Sequence, residues 1–321
     1  MRSYRVKASA VLCLLVAALS GFSSSAQHTG SALPAGTVTS QQAIALAQQG
    51  HCRETIPALE RAMAAQLPAE TRKLAGVLGI RCSLAIDDRP AALTFIRLLS
   101  GDFGHDPNVL YVIVHAYSDL STRTALDLAR SAPHSTAAHK LNAEALEEQG
   151  KWVPAELEYE EILKQDPNAR GIHFLLGRLL LSDPNGGPDA PARAKQEFLK
   201  ELQIDPGNAD AAYILGVLAQ QAQDYDEAVA RFSQAAKLDQ NFAEAYLGWG
   251  AALIGDRKYA EAIAPLQRAE RLTPENPDIH NALATALART GHKAEAEKEF
   301  AILRSLNTKN QSGASAEPPP Q

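Results

Sequence analysis

The feature that most narrows what this chain can fold into is a 34-residue period. Gly216 lies 34 residues before Gly250, and Gly250 lies 34 before Ala284. Ala228, Ala262 and Ala296 keep the same spacing, as do Phe232, Leu266 and Phe300, and again Ala235, Ala269 and Leu303. The offsets recur upstream at Ala155, Tyr159 and Pro167, and at Ala194, Phe198 and Pro206. Each period reads as two helices of about 13 residues joined by a short turn. The first helix carries a small residue in its middle (Ala143, Gly177, Gly216, Gly250, Ala284), and the second opens near another (Ala155, Ala194, Ala228, Ala262, Ala296). Small side chains at both places let antiparallel helices approach closely. The aromatic or leucine four residues later fills the space between neighbouring pairs. Pro167, Pro206 and Pro274 end the second helix, because proline lacks an N–H and clashes inside a helix. Gly150 and Gly291 fall in the turn, where positive φ costs glycine little. One such pair cannot bury its own apolar face and must stack on a copy. The expected fold is therefore all-α, an α-solenoid of stacked antiparallel helical hairpins. Composition agrees: the chain is 45% hydrophobic but only 6% aromatic, so its apolar content is largely Ala and Leu, which favour helices.

This pattern resembles the tetratricopeptide repeat (TPR) family, in an exported bacterial form. Within 136–307 five units begin near Thr136, Arg170, Ala209, Ala243 and Pro277, and the second carries an insert over 182–191 about five residues longer than the other turns. Residues 37–135 read as degenerate TPR-like hairpins without a clean register. There, 43–63 is a degenerate unit with Gly50 in its turn, and 74–99 and 110–129 are two further pairs, so about eight stacked pairs are expected. A polar linker, 27–36, and a tail, 308–321, flank the array. The tail lacks the apolar content that repays ordering entropy and is expected to be disordered.

The resemblance implies a TPR superhelix whose first helices line a concave, peptide-holding groove. The matching positions are Lys140, Glu144, Phe174, Arg178, Tyr213, Val217, Gln220, Leu247, Asn281, Thr285 and Arg289. Their mixture of aromatic, amide and both charges suits a peptide surface. One family subtype clamps a C-terminal carboxylate with a Lys/Asn set. Lys140 matches its first position, but Glu144 stands where an Asn is required, which argues against that cochaperone-type use. The expected role is a non-catalytic scaffold for a protein or peptide partner. The alternative is a self-assembling structural subunit. The last helix, 293–306, runs directly into the tail without a capping helix, which leaves Ile302 and Leu306 open to association.

The N-terminus reads as a cleaved export signal over 1–26. Arg2, Arg5 and Lys7 precede an apolar stretch, 8–19, and small residues stand at 24–26. Twelve helical residues reach about 18 Å, short of a ~30 Å hydrocarbon core, so no membrane span is expected after cleavage. Cys13 lies inside the apolar stretch after Leu12, which does not fit a lipid-attachment site. The expected location is periplasmic or secreted. The formal net charge is −6, and cleavage removes three positive charges and no negative ones. A mildly acidic chain without clustered Lys/Arg argues against nucleic-acid binding. Cleavage leaves Cys52 and Cys82, which are either a disulfide in an oxidising compartment or two separate buried thiols.

Catalytic patterns are missing from the sequence. His139, His173 and His280 share one offset within their units, as a packing role predicts, and stacking separates them, so no metal site is expected. "GWG" at 248–250 falls inside a helix rather than between a strand and a helix, which argues against a phosphate loop. Glu156, Glu158, Glu160 and Glu161 read as a solvated face with Lys164. "DPNGGPD" at 183–189 has oxygen ligands but lacks the closing bidentate Glu of a calcium loop, and reads as a turn. No segment outside the hairpins is long enough for a catalytic domain. No cofactor and no enzymatic activity are expected.

Overall fold

The computed structural model describes residues 38–314, with side chains through Thr308; the expected signal segment and the whole of the linker lie outside the described residues. Fifteen α-helices and no strand occur among the described residues, so the fold is all-α, as expected. The chain divides into two compact units between Thr122 and Arg123.

The first unit contains α1 (Ser40–Gln48), α2 (Cys52–Ala64), α3 (Ala69–Ala85), α4 (Arg89–Phe103) and the first part of α5 (Pro107–Ser131). Helices α1 to α4 form two hairpins around a core of Leu59, Ile80, Phe95, Ile96 and Leu99. Cys52 on α2 and Cys82 on α3 are joined in a disulfide, with Cα atoms 4.7 Å apart. In α3 a Cβ added to Gly79 would lie 2.4 Å from the Phe95 ring, so glycine is what lets α4 approach.

Segment 110–129, expected to be a helical pair, is instead part of one 25-residue helix. Its sequence holds no Gly or Pro from Asn108 to Ser131, so nothing breaks the backbone. Ile113 stands 34 residues after Gly79, where the hairpins need a small residue. One stripe of α5 (Val109, Ile113, Ala116, Leu120) is buried, and another (Leu110, Val114, Tyr117) is exposed. The described residues therefore hold seven hairpins and a lone helix rather than eight hairpins.

The second unit contains five hairpins: α6 (Thr136–Glu148) with α7 (Trp152–Gln165), α8 (Ile172–Ser182) with α9 (Ala190–Ile204), α10 (Ala209–Gln221) with α11 (Tyr225–Leu238), α12 (Ala243–Gly255) with α13 (Tyr259–Leu272), and α14 (Pro277–Arg289) with α15 (Lys293–Ala314). From α6 onward each helix packs on the next, and α10, α12 and α14 also touch one another in turn. The small residues do what close approach demands. A Cβ on Gly177 would lie 2.9 Å from Phe198, on Gly216 2.8 Å from Phe232, and on Gly250 2.4 Å from Leu266. Those large side chains and Tyr159 are fully buried. In every hairpin of this unit except α8–α9, whose turn is longer, the backbone goes left-handed seven residues after the small residue. Gly150 and Gly291 do this at φ +68° and +88°, but Gln223 and Arg257 do it as well, at +60° and +61°. That conformation costs a non-glycine residue roughly 1–2 kcal/mol, which the packed helices on either side must offset.

Side chains cap the first helices. Ser135, Asn208 and Asn276 accept backbone N–H bonds at the starts of α6, α10 and α14. Ion pairs step along the second helices: Arg193 with Glu156, Lys195 with Glu227 at 2.7 Å, and Lys258 with Asp226 at 3.3 Å. Exposed pairs of this kind each contribute only about 0–1 kcal/mol, so they align the stack more than they hold it. The tail expected to be disordered from 308 is helical as far as Ala314, because no Gly or Pro intervenes before Gly313; 315–321 lie outside the described residues. Phe300, equivalent to the buried Phe232, is only half-buried, since α15 is the last helix described.

Candidate functional site

The first helices of the second unit carry the expected groove residues. Lys140, Glu144, Arg178, Asn281 and Arg289 are exposed, whereas Phe174, Tyr213, Val217, Gln220, Leu247 and Thr285 are half-buried. Several are committed to packing. The Phe174 ring meets Phe198 edge-on at 5.7 Å, and Tyr213 lies 5.6 Å from Phe232 and 4.9 Å from Phe242. Burial, with the Glu244 charge, pushes the Tyr213 hydroxyl pKa up. Arg178 donates from Nη2 to Glu147 Oε2 at 3.0 Å, and the Tyr159 hydroxyl donates to Glu147 Oε1 at 2.7 Å. Burial and that carboxylate raise the Tyr159 pKa strongly. Glu147 thus ties its own hairpin to the next one. Thr285 spends its hydroxyl on the Asn281 carbonyl at 2.8 Å, and the Arg289 guanidinium lies 5.8 Å from the Tyr259 ring centre. Val217 and Tyr213 join one cluster with Phe232 and Trp249, and Leu247 joins a second that shares Trp249.

Trp249 belongs to the "GWG" run, and both neighbouring glycines have a packing role. A Cβ on Gly248 would lie 2.6 Å from Phe232, and one on Gly250 would meet Leu266. In the 183–189 turn Asp183 accepts from the Asn185 N–H at 2.8 Å. That bond closes a local turn of the backbone.

Glu201 is not among the residues that the repeat pattern singles out. It is fully buried on α9, where its equivalents are Ile162, Ala235, Ala269 and Leu303. Its carboxylate accepts from the Gly171 N–H at 2.9 and 3.1 Å and from the Phe174 N–H at 3.2 Å. The N-cap position of α8 is Gly171, which has no side chain to cap the helix, and Glu201 does so from the second helix. Its signal in the sequence is a charged residue at an otherwise apolar offset. Glu201→Ala leaves those N–H groups unpaired and is expected to cost about 1–3 kcal/mol in urea unfolding. Glu201→Gln keeps an acceptor and should cost less.

The three equivalent histidines each bond a carboxylate of the second helix. Nδ1 lies 2.6 Å from Glu158 for His139, 2.6 Å from Glu197 for His173 and 2.7 Å from Glu299 for His280. Nε2 faces the Pro167 carbonyl at 3.2 Å for His173 and the Pro274 carbonyl at 2.8 Å for His280, while His139 Nε2 is buried without a partner. Burial opposes the charged form of His280. The bonds to Glu299 and Pro274, and the Glu299 and Glu270 charges, outweigh it and raise the pKa. Glu270, His280 and Glu299 place ligand atoms within 4.8 Å of one another, the one such group of three among the described residues.

Residues 258–291 match a family model described as a TPR repeat. No curated protein matches the chain. Among solved structures the chain is similar to the crystal structure of MamA protein, at 22% identity and a TM-score of 0.50, over 58% of this chain and 97% of that one. A MamA RS-1 double mutant aligns at 21% identity and a TM-score of 0.50, over 55% and 97%. YrrB, described as a TPR protein with an unusual peptide-binding site, aligns at 17% identity and a TM-score of 0.50, over 60% and 96%. The repeat match and the shared fold support a chain built of tetratricopeptide-type repeats.

Proposed function

We propose that the chain is an exported, non-catalytic scaffold that binds a peptide or protein segment along the first helices of its second unit. One observation carries the reading. The half-buried apolar positions, Phe174, Tyr213, Val217 and Leu247, belong to the three middle hairpins, and free polar heads stand on the first and last. Lys140, Glu144 and the Asn281 amide make no hydrogen bond or ion pair among the described residues, yet rigid helices hold their backbones. A segment with an apolar centre and polar flanks fits that order. The peptide-binding site for which YrrB is named favours the same use. Export rests on the 1–26 segment and on the Cys52–Cys82 bond, which suits an oxidising compartment.

The test is capture from envelope extract with the purified protein, beside a Lys140→Glu, Asn281→Ala, Arg289→Glu variant. These three side chains are exposed, so helical circular dichroism should not change. The expected result is a partner held by the parent and lost by the variant. Equal capture by both would move binding off these helices. The half-buried Phe300 and exposed Ile302 favour one second reading, self-association through α15, and a monomer at all concentrations in light scattering would remove it.

A further inference from the structure

We propose that Glu270, His280 and Glu299 form a binding site for one divalent transition-metal ion of the zinc class. The three residues come from three successive helices, α13, α14 and α15. His280 is 2% exposed. Its Nε2–H donates to the Pro274 carbonyl at 2.8 Å, which fixes the ring and aims Nδ1 at the two carboxylates. A ligating histidine commonly gives its other N–H to a backbone carbonyl in this way. One imidazole nitrogen and two carboxylates balance a 2+ ion and suit zinc, with water completing the coordination.

The other two histidines serve as internal controls. Ten residues before His280 stands Glu270, whose carboxylate makes no hydrogen bond or ion pair among the described residues. Ten residues before His173 stands Leu163, beside it in the same cleft, and ten before His139 stands Ala129. The His173 partner Glu197 also has its own cation, Lys200, at 2.8 Å. Ile302 occupies the corresponding place on α15, and Glu299 has no partner among the described residues besides His280. The His280 site thus has one more carboxylate and one less ammonium group than the His173 site. Two carboxylates around one imidazole leave a net negative charge that a bound cation relieves. A metal ion entering there displaces the proton between Nδ1 and Glu299 to solvent and links the last hairpin to the one before it.

The experiment is zinc titration of the purified, tag-free chain after chelator treatment, followed by calorimetry and by thermal unfolding. The expected result is one equivalent bound at micromolar or tighter Kd, with a higher Tm. Glu270→Gln removes one ligand but leaves the His280–Glu299 bond, so the metal-free Tm should hold while zinc binds about tenfold or more weakly. Glu197→Gln, at the His173 site, should bind zinc like the parent. No binding and no Tm shift would mean that the site holds a proton only, and equal affinity in Glu270→Gln would mean that the ion sits elsewhere. Either outcome overturns the proposal, and neither bears on the peptide-binding reading.

Discussion

Phe232→Ala is expected to cost the second unit about 3–5 kcal/mol, the range for emptying a buried aromatic site. The upper end applies because the walls cannot close. The ring is 1% exposed and lies against Gly216 of its own hairpin and Gly248 of the next. Both contacts are to backbone without side chains, and helices packed on other helices cannot collapse toward a void as a flexible side chain can. Tyr213, at 5.6 Å, loses its aromatic neighbour as well. Trp249 shares the cluster, so its fluorescence reports the site directly in a urea titration. Stability in a stacked array is mostly a sum of neighbour interfaces. The variant should therefore lower the midpoint and broaden or split the transition, as the α6–α9 hairpins part from α12–α15. Gly216→Val makes the opposite error at the same contact and should cost about 1–3 kcal/mol through overpacking. A Phe232→Ala loss below about 1 kcal/mol would mean that this ring does not couple the hairpins.

Removing the disulfide should be the largest single loss in the first unit. Cys52 and Cys82 close a loop of sequence separation 30, worth about 3–4 kcal/mol in a chain-entropy treatment. Both sulfurs are buried between α2 and α3, so the Cys52→Ala, Cys82→Ala pair tests the bond without adding a polar atom to the core. Hydrogen exchange should show faster opening of α1 to α4 and unchanged protection of α10 to α13. Reductant applied to the parent should reproduce the shift. An unchanged midpoint under both treatments would mean that the two thiols stand unpaired in solution.

The second unit was legible because its period is carried by alternating small and large residues, and that alternation is the packing itself. Gly216 and Gly250 with Phe232 and Leu266 are contact partners, so reading them is close to reading the interface. The α3–α4 hairpin uses the same internal spacing: Gly79, Ala91 and Phe95 repeat the intervals of Gly216, Ala228 and Phe232. It escaped a search by period because Gly79 and Ala143 are 64 residues apart, which is not a multiple of 34. Helix α5 misled for the converse reason. Its apolar spacing suits a helix, but it has no breaker to fold that helix back. At the candidate site the sequence placed residues on the right helices but could not say which were spent. Tyr213 and Arg178 are committed to Phe232, Phe242 and Glu147, contacts between helices that a one-dimensional pattern does not record. Glu201 shows the limit most clearly, since a buried acid is tolerable only where backbone N–H groups converge on it.

The turn between α8 and α9 bears on how such a chain can change over time. His280 and Glu299 are 19 residues apart, as are His139 and Glu158, whereas His173 and Glu197 are 24 apart and still bond at 2.6 Å. Five extra residues have entered the chain there without shifting the helices that flank them. Lengthening a flexible loop is cheap, about 0.6 kcal/mol per doubling. This turn is thus a permissive port, where a tag, a protease site or a whole inserted module could be carried while the stack on either side keeps its register.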